Sequence, residues 1–171
     1  MLQWHRKTTR KSKSGAARAQ GMVEFALTLP ILLMLLLGIF EFGRMLWTYS
    51  AVISAAREAA RYGAAGGPSA SSVAYYRHCD GIRAAAARIG NFAGIANDET
   101  GIEIVYDEGP GGAVVGAGCP VGGSGPILKA GDRIEVTVSA HYAPMSGIIA
   151  VPALNIESTV RRTVVVDVDL D

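Results

Sequence analysis

The longest apolar stretch of the chain is an uncharged run of sixteen residues, from Phe25 to Phe40. As a helix with a rise of 1.5 Å per residue, it would span about 24 Å, slightly less than a usual hydrocarbon core. Glu24 and Glu41 are therefore expected to lie at or near the two membrane edges, or to be neutralised by partners. The pattern predicts a transmembrane helix, and Pro30 is expected to bend it because proline removes one backbone hydrogen bond.

The helical pattern continues past the apolar run. Residues 43–65 are rich in alanine and contain no proline, and the Gly-Gly-Pro sequence at 66–68 provides a stop signal. We expect one helix of about 44 residues that begins at Met22. Residues 20–47 are assigned to the membrane, and residues 48–67 to a continuation of the same helix outside it.

A second helix and a sheet are predicted in the remainder of the chain, residues 68–171. The second helix is expected to begin at Ser71 or Ser72, whose side chain would serve as the N-cap, and to run to about Ile89. The Asp-Gly pair at 80–81 could interrupt this helix.

Apolar and polar residues alternate in three later segments, which predicts three β-strands. The segments are GIEIVYD at 101–107, DRIEVTVSAHYAP at 132–144 and NIESTVRRTVVVDVDL at 155–170. A period of two over this length is typical of an antiparallel sheet with one solvent-facing side and one covered side. We expect the alanine-rich helix to cover the apolar side, which gives a small α+β domain.

A glycine-rich segment separates the first two predicted strands. Eight of the residues from Gly109 to Pro126 are glycine. The segment lacks the G-K-[ST] ending and the strand-to-helix context of a phosphate-binding loop. It is therefore interpreted as a flexible surface loop that Cys119 pins in place.

The formal net charge of +1 conceals an uneven distribution of charge. Residues 1–18 carry six positive side chains and no acid, whereas the remaining residues hold ten basic and 15 acidic side chains. By the positive-inside rule, a basic leader (residues 1–19) stays in the cytoplasm and the acidic remainder lies outside. A basic tract can also bind nucleic acid, but no reading domain accompanies this one, so no nucleic-acid partner is expected.

Both cysteines, Cys79 and Cys119, lie in the part of the chain that is predicted to be external. In an oxidising compartment they are expected to pair, with a chain-entropy contribution of roughly 4 kcal/mol. The alternative is two unpaired buried thiols. The sequence contains neither a C-x-x-C motif nor zinc-ligand spacing, so redox catalysis and a structural zinc are not expected.

No set of residues has the spacing of a catalytic centre. The histidines are separated from one another and are interpreted as solvated side chains: His5, His78 and His141. Alternating aspartates near the C-terminus indicate either a weak calcium site or, as we prefer, a solvated acidic edge: Asp167, Asp169 and Asp171. We therefore expect neither an enzyme nor a metal, a cofactor or a small-molecule substrate.

The apolar helix and its flanks resemble a known family. A secretory signal peptide would need small residues soon after the apolar core, but Glu41 and Phe42 follow it, which favours a retained anchor. The basic leader and the glutamate at the front of the helix resemble class III signal peptides of type IV pilin-like proteins. The segments QGMVEFALTLPILLMLLLGIFEFGRMLW and SAAREAARYGA resemble the TadE-like family of minor pilins, or pseudopilins, of the tight-adherence (Flp/Tad) pilus system. The similarity covers the N-terminal 65 residues and continues weakly through the two cysteines and GDRIEVTVSAHYAP.

The resemblance implies a type IV pilin-like fold and cleavage by a prepilin peptidase on the cytoplasmic face. With Glu24 as the fifth mature residue, Gln20 becomes the first residue and Ala19 precedes the cut, where the family usually has glycine. The alternative cut follows Gly21 and makes Met22 the first residue. Glu24 would neutralise the new amino terminus of its own or a neighbouring subunit, unless it is an interfacial carboxylate without a special role.

Two function classes follow from these patterns. The first is a structural protein: a single-pass minor pilin of the inner (cytoplasmic) membrane, with a cytoplasmic N-terminus and an extracytoplasmic domain. Its partners would be the prepilin peptidase, other pilin or pseudopilin subunits and the pilus assembly platform. The second is an unprocessed, membrane-anchored binding module for an envelope component or ligand. Glu41 and Arg44, three residues apart at the far membrane edge, are interpreted as an ordinary interfacial ion pair.

Overall fold

The computed structural model describes residues 14–69, 72–116, 118–145 and 152–166. Two helices and three strands make up its regular structure, which confirms the α+β prediction. They are α1 (Ser14–Gly63), α2 (Cys79–Gly90), β1 (Ile102–Asp107), β2 (Arg133–Tyr142) and β3 (Leu154–Thr163), with short 3₁₀ turns at Tyr75–Arg77 and Asn91–Ala93. The predictions for the first 13 residues and for Asp167, Asp169 and Asp171 lie outside the described residues.

The chain divides into two compact units between Phe40 and Glu41. The described part of the first unit is the N-terminal part of α1, residues 14–40. The helix begins earlier than Met22, the predicted start, because residues 14–21 hold good helix formers and no proline. The predicted stop near residues 66–68 is close to the observed end of α1 at Gly63.

The predicted start of the second helix is wrong. Ser72 has a positive φ of 60°, and its backbone N–H donates to the carbonyl of Ser69, so it belongs to a turn. A short 3₁₀ turn follows, and α2 begins only at Cys79. Asp80 and Gly81 do not interrupt α2 but lie in its first turn, where an acidic side chain is favoured by the helix dipole.

The three predicted strands form an antiparallel sheet in the order β1-β2-β3, with β2 in the centre. The alternating residues of β2 that were predicted to face inward are all buried: Ile134, Val136, Val138, Ala140 and Tyr142. β3 ends at Thr163 rather than near residue 170 among the described residues. Thr163 pairs with Arg133, the first residue of β2, and the pairing closes with one further backbone hydrogen bond, from the Val164 N–H to the carbonyl of Asp132 at 2.9 Å.

The second half of α1 covers the apolar side of the sheet, as predicted. Fully buried residues recur along it at helical spacing: Val52, Ala55, Ala56, Ala59 and Ala60. They share one core with residues of β1, β2 and α2, including Ile102, Ile134, Val136, Val138 and Ile82. The small alanine side chains allow the helix backbone to approach the sheet closely. The second unit is therefore organised around one stripe of α1.

Candidate functional site

The first candidate site is the apolar segment of α1 within the first unit. Every described residue from Ala19 to Leu37 has an exposed side chain, and so have Ile39 and Phe40. Leu27 and Ile31, for example, are each 69% exposed. An apolar surface of this extent on a monomer marks a membrane or protein contact. The helix is long and apolar enough to cross a membrane, which makes it a candidate membrane anchor.

Glu24 is the single charged residue between Ala19 and Phe40. The side-chain amide of Gln20 donates to Oε1 of Glu24 at 3.0 Å, and the hydroxyl of Thr28 donates to the Glu24 carbonyl at 2.8 Å. The carboxylate thus lies one helical turn after Gln20 and can accept from a donor at that position. Ala19, Gln20, Gly21 and Met22, the predicted cleavage residues, are all helical and exposed.

The second candidate site surrounds Glu41, the first residue of the second unit. Its side chain is only 9% exposed, although the residue follows an exposed apolar helix. The hydroxyl of Tyr142 lies 2.7 Å from Oε2 of Glu41 and donates to this carboxylate. The backbone N–H of Met145 donates to Oε1 at 2.8 Å, and Arg44 forms an ion pair with Oε2 at 3.1 Å. Glu41 therefore connects α1 to the end of β2.

Arg44 completes this connection, which we call the Glu41 network (Glu41, Arg44, Tyr142, Ala143 and Met145). Its guanidinium donates to the carbonyl of Ala143 and lies 4.3 Å from the centre of the Tyr142 ring. Hydrogen bonding to Glu41, together with burial, raises the pKa of Tyr142 above its usual range. The predicted Glu41–Arg44 ion pair exists, but the contact of Glu41 with Tyr142, which lies 101 residues further along the chain, could not be predicted from local sequence.

A disulfide joins Cys79, the first residue of α2, to Cys119 in the glycine-rich segment, with a Cα–Cα distance of 5.3 Å. The buried hydroxyl of Tyr106 lies 2.9 Å from Sγ of Cys119 and donates to the carbonyl of Tyr76 at 2.5 Å. Burial raises the pKa of Tyr106. The disulfide therefore fixes the glycine-rich segment against α2 and the adjoining strand.

Arg83 of α2 lies beside the disulfide and lines a cleft of about 530 Å³. Its side chain is 3% exposed and donates through Nη2 to the carbonyl of Cys119. Within the described part of the chain, Nε and Nη1 are buried without a hydrogen-bond partner. The nearest carboxylate, of Glu99, lies 4.0 Å from Nη2 and is largely exposed. Incompletely paired buried donors of this kind favour an additional acceptor.

The histidines within the described residues are held by neighbours. Nδ1 of His78 lies 2.9 Å from the hydroxyl of Tyr62, and Nδ1 of His141 lies 2.9 Å from Oδ1 of Asn155. His78 is thus less solvated than predicted. Among the described residues, no three His, Cys, Asp or Glu side chains are grouped so as to hold a metal ion.

These features define a class: an α+β protein whose first helix is a candidate membrane anchor and whose second unit contains a disulfide. Comparison with known proteins adds a match to a protein family. The family model described as TadE-like protein matches residues 19–61, which confirms the resemblance noted in the sequence. The matched segment contains Glu24, Glu41, Arg44 and the buried alanines of α1. No curated protein matches the chain, and no solved structure matches it.

Proposed function

We propose that this chain is a minor pilin or pseudopilin, a membrane-anchored structural subunit that acts in the assembly of a tight-adherence (Flp) type IV pilus. The observation that carries the proposal is the exposed apolar segment from Ala19 to Phe40 with its single carboxylate, Glu24. The TadE-like match over the same residues supports it. A surface of this kind suits lipid before assembly and the helices of neighbouring subunits afterwards.

Glu24 has a specific role in this proposal. Cleavage after Ala19 makes the backbone nitrogen of Gln20 a new ammonium group, one helical turn from Glu24. Four residues correspond to a rise of about 6 Å, a distance that a glutamate side chain can cover on its own or a neighbouring helix. In an apolar environment an unpaired ammonium or carboxylate is costly, so the two charges favour an arrangement in which they pair.

The Glu41 network suggests where the membrane segment ends. Residues 20–40 would span about 31 Å as a helix, which matches a hydrocarbon core of about 30 Å. Glu41 and Arg44 are occupied by contacts within the second unit, so we place them at the outer interface, with the membrane segment ending near Phe40 rather than at residue 47. The basic leader then stays in the cytoplasm, and the disulfide-containing unit lies outside the inner membrane.

Processing is tested by co-expressing the full chain with a prepilin peptidase of a tight-adherence system and measuring the intact mass. We expect loss of residues 1–19, or of residues 1–21 if the alternative cut is used. An inactive peptidase variant provides the control. An unchanged mass with the active peptidase would rule out processing by that enzyme.

The role of Glu24 is tested separately, because a processed protein need not assemble. Glu24→Ala should be cleaved like the wild type but should lose cross-linking to other pilin subunits in the membrane. The matched control is Glu103→Ala, which removes an exposed carboxylate from β1 of the second unit. Equal cross-linking of both variants would leave Glu24 as an interfacial carboxylate without a special role.

The cleft beside Arg83 favours a second candidate function, an unprocessed membrane-anchored binding module. Within the described residues, Nε and Nη1 of Arg83 lack an acceptor, and a small rearrangement of this side chain would turn them towards an acidic ligand in the cleft. In that case a foreign membrane helix could replace residues 20–40 without loss of function, whereas Arg83→Met would abolish it. The pilin proposal predicts, in contrast, that function is lost when a foreign membrane helix replaces residues 20–40.

A further inference from the structure

Large apolar side chains remain exposed on the second unit near the Glu41 network. Trp47 is 64% exposed, Phe92 is 91% exposed and Met145 is 75% exposed. Trp47 and Phe92 line one shallow cavity of about 380 Å³, which Arg44 and Tyr142 also line. Met145 is joined to this region because its backbone N–H donates to Glu41. We call Trp47, Phe92 and Met145 the apolar patch.

The patch lies at the end of the second unit where the chain enters it. Glu41 directly follows Phe40, the last residue of the exposed apolar helix, and hydrogen-bonds Met145 of the patch. Trp47 lies seven residues beyond Phe40, a rise of about 10 Å. Side chains on a helix lean towards its N-terminus, so the Trp47 indole extends back along α1 in the direction of Glu41. The interfacial layer of a bilayer is about 5–8 Å thick on each side, which is within that reach.

The chemistry of the patch also suits a lipid headgroup layer. Tryptophan is enriched where an apolar body meets polar headgroups, and phenylalanine adds apolar area to the same layer. The carboxylate of Glu41, which would oppose approach to anionic lipid, is 9% exposed and paired with Arg44. Phe92 lies in the short Asn91–Ala93 turn with its ring directed away from the core of the second unit.

We propose that the apolar patch rests in the headgroup layer of the phospholipid bilayer that holds α1. The patch is a second membrane contact, on the unit that follows the anchor. This inference rests on the proposed membrane anchoring, and its test separates the two. A phospholipid surface, rather than another protein, is the occupant because Met145 of the patch is hydrogen-bonded to Glu41, the residue that follows the candidate membrane segment, and Trp47 lies less than two helical turns beyond Glu41.

The test uses single-tryptophan variants of the full chain, reconstituted in vesicles of phosphatidylcholine and phosphatidylglycerol that carry brominated acyl chains. The chain has two tryptophans, so the double substitution Trp4→Phe and Trp47→Phe gives a background without tryptophan fluorescence. Phe92→Trp reports on the patch, and Phe40→Trp reports on the anchor. Ile127→Trp is the matched control, because Ile127 is 76% exposed on the same unit and lies outside the patch.

We expect strong quenching at position 40 by the brominated acyl chains, weaker but measurable quenching at position 92 in the adjoining headgroup layer, and none at position 127. Quenching at position 40 alone would overturn the patch proposal while the anchor stands, and would leave the patch available for a partner protein. Absence of quenching at position 40 would overturn the anchor itself. Equal quenching at positions 92 and 127 would also overturn the proposal, since the whole unit would then contact lipid without preference.

A second measurement keeps Trp47 as the reporter, in a Trp4→Phe background. Phe92→Asp should weaken the contact and shift Trp47 emission to longer wavelength, whereas Ile127→Asp should not. Because both positions are exposed, both variants are expected to fold, and an unchanged near-ultraviolet circular dichroism spectrum verifies this. An identical emission maximum in the two variants would overturn the proposal.

Discussion

The two halves of α1 are equally helical and both rich in apolar residues, yet they differ in what surrounds them. Before Glu41 the side chains are large, mainly leucine, isoleucine and phenylalanine, and they are exposed on all sides of the helix. After Glu41 alanine is the commonest apolar residue, and four alanines on one stripe are fully buried against the sheet together with Val52. Side-chain size and placement, more than hydrophobicity, therefore decide what each half can contact.

This difference has a physical basis. Alanine lets a helix backbone lie close to a sheet, and it loses no side-chain entropy on burial. Large side chains around a whole helix suit a fluid apolar environment, where no fixed complementary surface is needed. The Glu41 network lies at the boundary between the two halves, because Glu41 of α1 binds Tyr142 and Met145 at and beyond the end of β2.

The largest expected difference between the two units comes from the disulfide, which constrains the second unit alone. Replacing both Cys79 and Cys119 with alanine should lower the free energy of unfolding of this unit by about 4 kcal/mol, because the unfolded chain loses a 40-residue constraint. Chemical unfolding in detergent, followed by near-ultraviolet circular dichroism, measures the change. Membrane insertion, assayed by resistance to carbonate extraction, should stay the same, and its loss would contradict the separation of the units.

A matched pair of alanine substitutions compares the two halves of α1 directly. Ala59 is fully buried, so Ala59→Leu should destabilise the second unit by about 2–3 kcal/mol through overpacking. Ala26 is exposed in the first half, and Ala26→Leu should leave the free energy of unfolding unchanged. The same unfolding measurement applies to both variants. An equal effect of the two substitutions would show that burial does not distinguish the halves.

A smaller effect is expected at the boundary between the halves. Tyr142→Phe removes the hydroxyl that donates to Glu41, which should cost about 1–2 kcal/mol of unfolding free energy. Tyr49→Phe, at an exposed position of α1, is the control and should cost nothing measurable. The raised pKa of Tyr142 means that the folded chain keeps this proton to higher pH than the unfolded chain. The stabilisation by the Tyr142 hydroxyl is therefore full below about pH 10 and is lost at higher pH. The free energy of unfolding should accordingly fall less steeply with rising pH in Tyr142→Phe than in the wild type.

The smallest predicted effect concerns the sheet and appears at acid pH. Arg133 donates to the carboxylate of Asp107 at 2.7 Å, and this hydrogen bond lowers the pKa of Asp107 below its usual value. The contribution of this ion pair to the free energy of unfolding is thus present above about pH 4 and is lost as the pH falls further. Asp107→Asn should remove about 0.5 kcal/mol at neutral pH and flatten the acid limb of the stability curve. An acid limb identical to that of the wild type would show that this ion pair does not contribute.

Local patterns in the sequence predicted much of the fold. The alternation in β1 and β2 and the alanine stripe of α1 follow from periodicity, because each element has one buried side. The start of α2 could not be predicted in this way, since Ser72 belongs to a turn and Ser71 lies outside the described residues. Gly81 is explained by its surroundings: a Cβ there would overlap the ring of His78 and lie 2.6 Å from the hydroxyl of Tyr62.

The candidate sites show the same limit. Glu24 is conspicuous in the sequence because it is one charge in an apolar run. Arg83 and Tyr142, in contrast, are ordinary residues of an amphipathic helix and a strand. Their significance depends on contacts with Cys119 and Glu41, which are distant along the chain. Pairings between distant segments leave no periodic signal.

The Glu41 network also determines how mechanical force enters the second unit. A pull along α1 from its N-terminal end arrives at Glu41, whose carboxylate is bound to Tyr142 at the end of β2. Because β2 is hydrogen-bonded to strands on both sides, the load is shared between two ladders. Tension applied to the helix would then load the sheet before it loads the loop that follows Gly63.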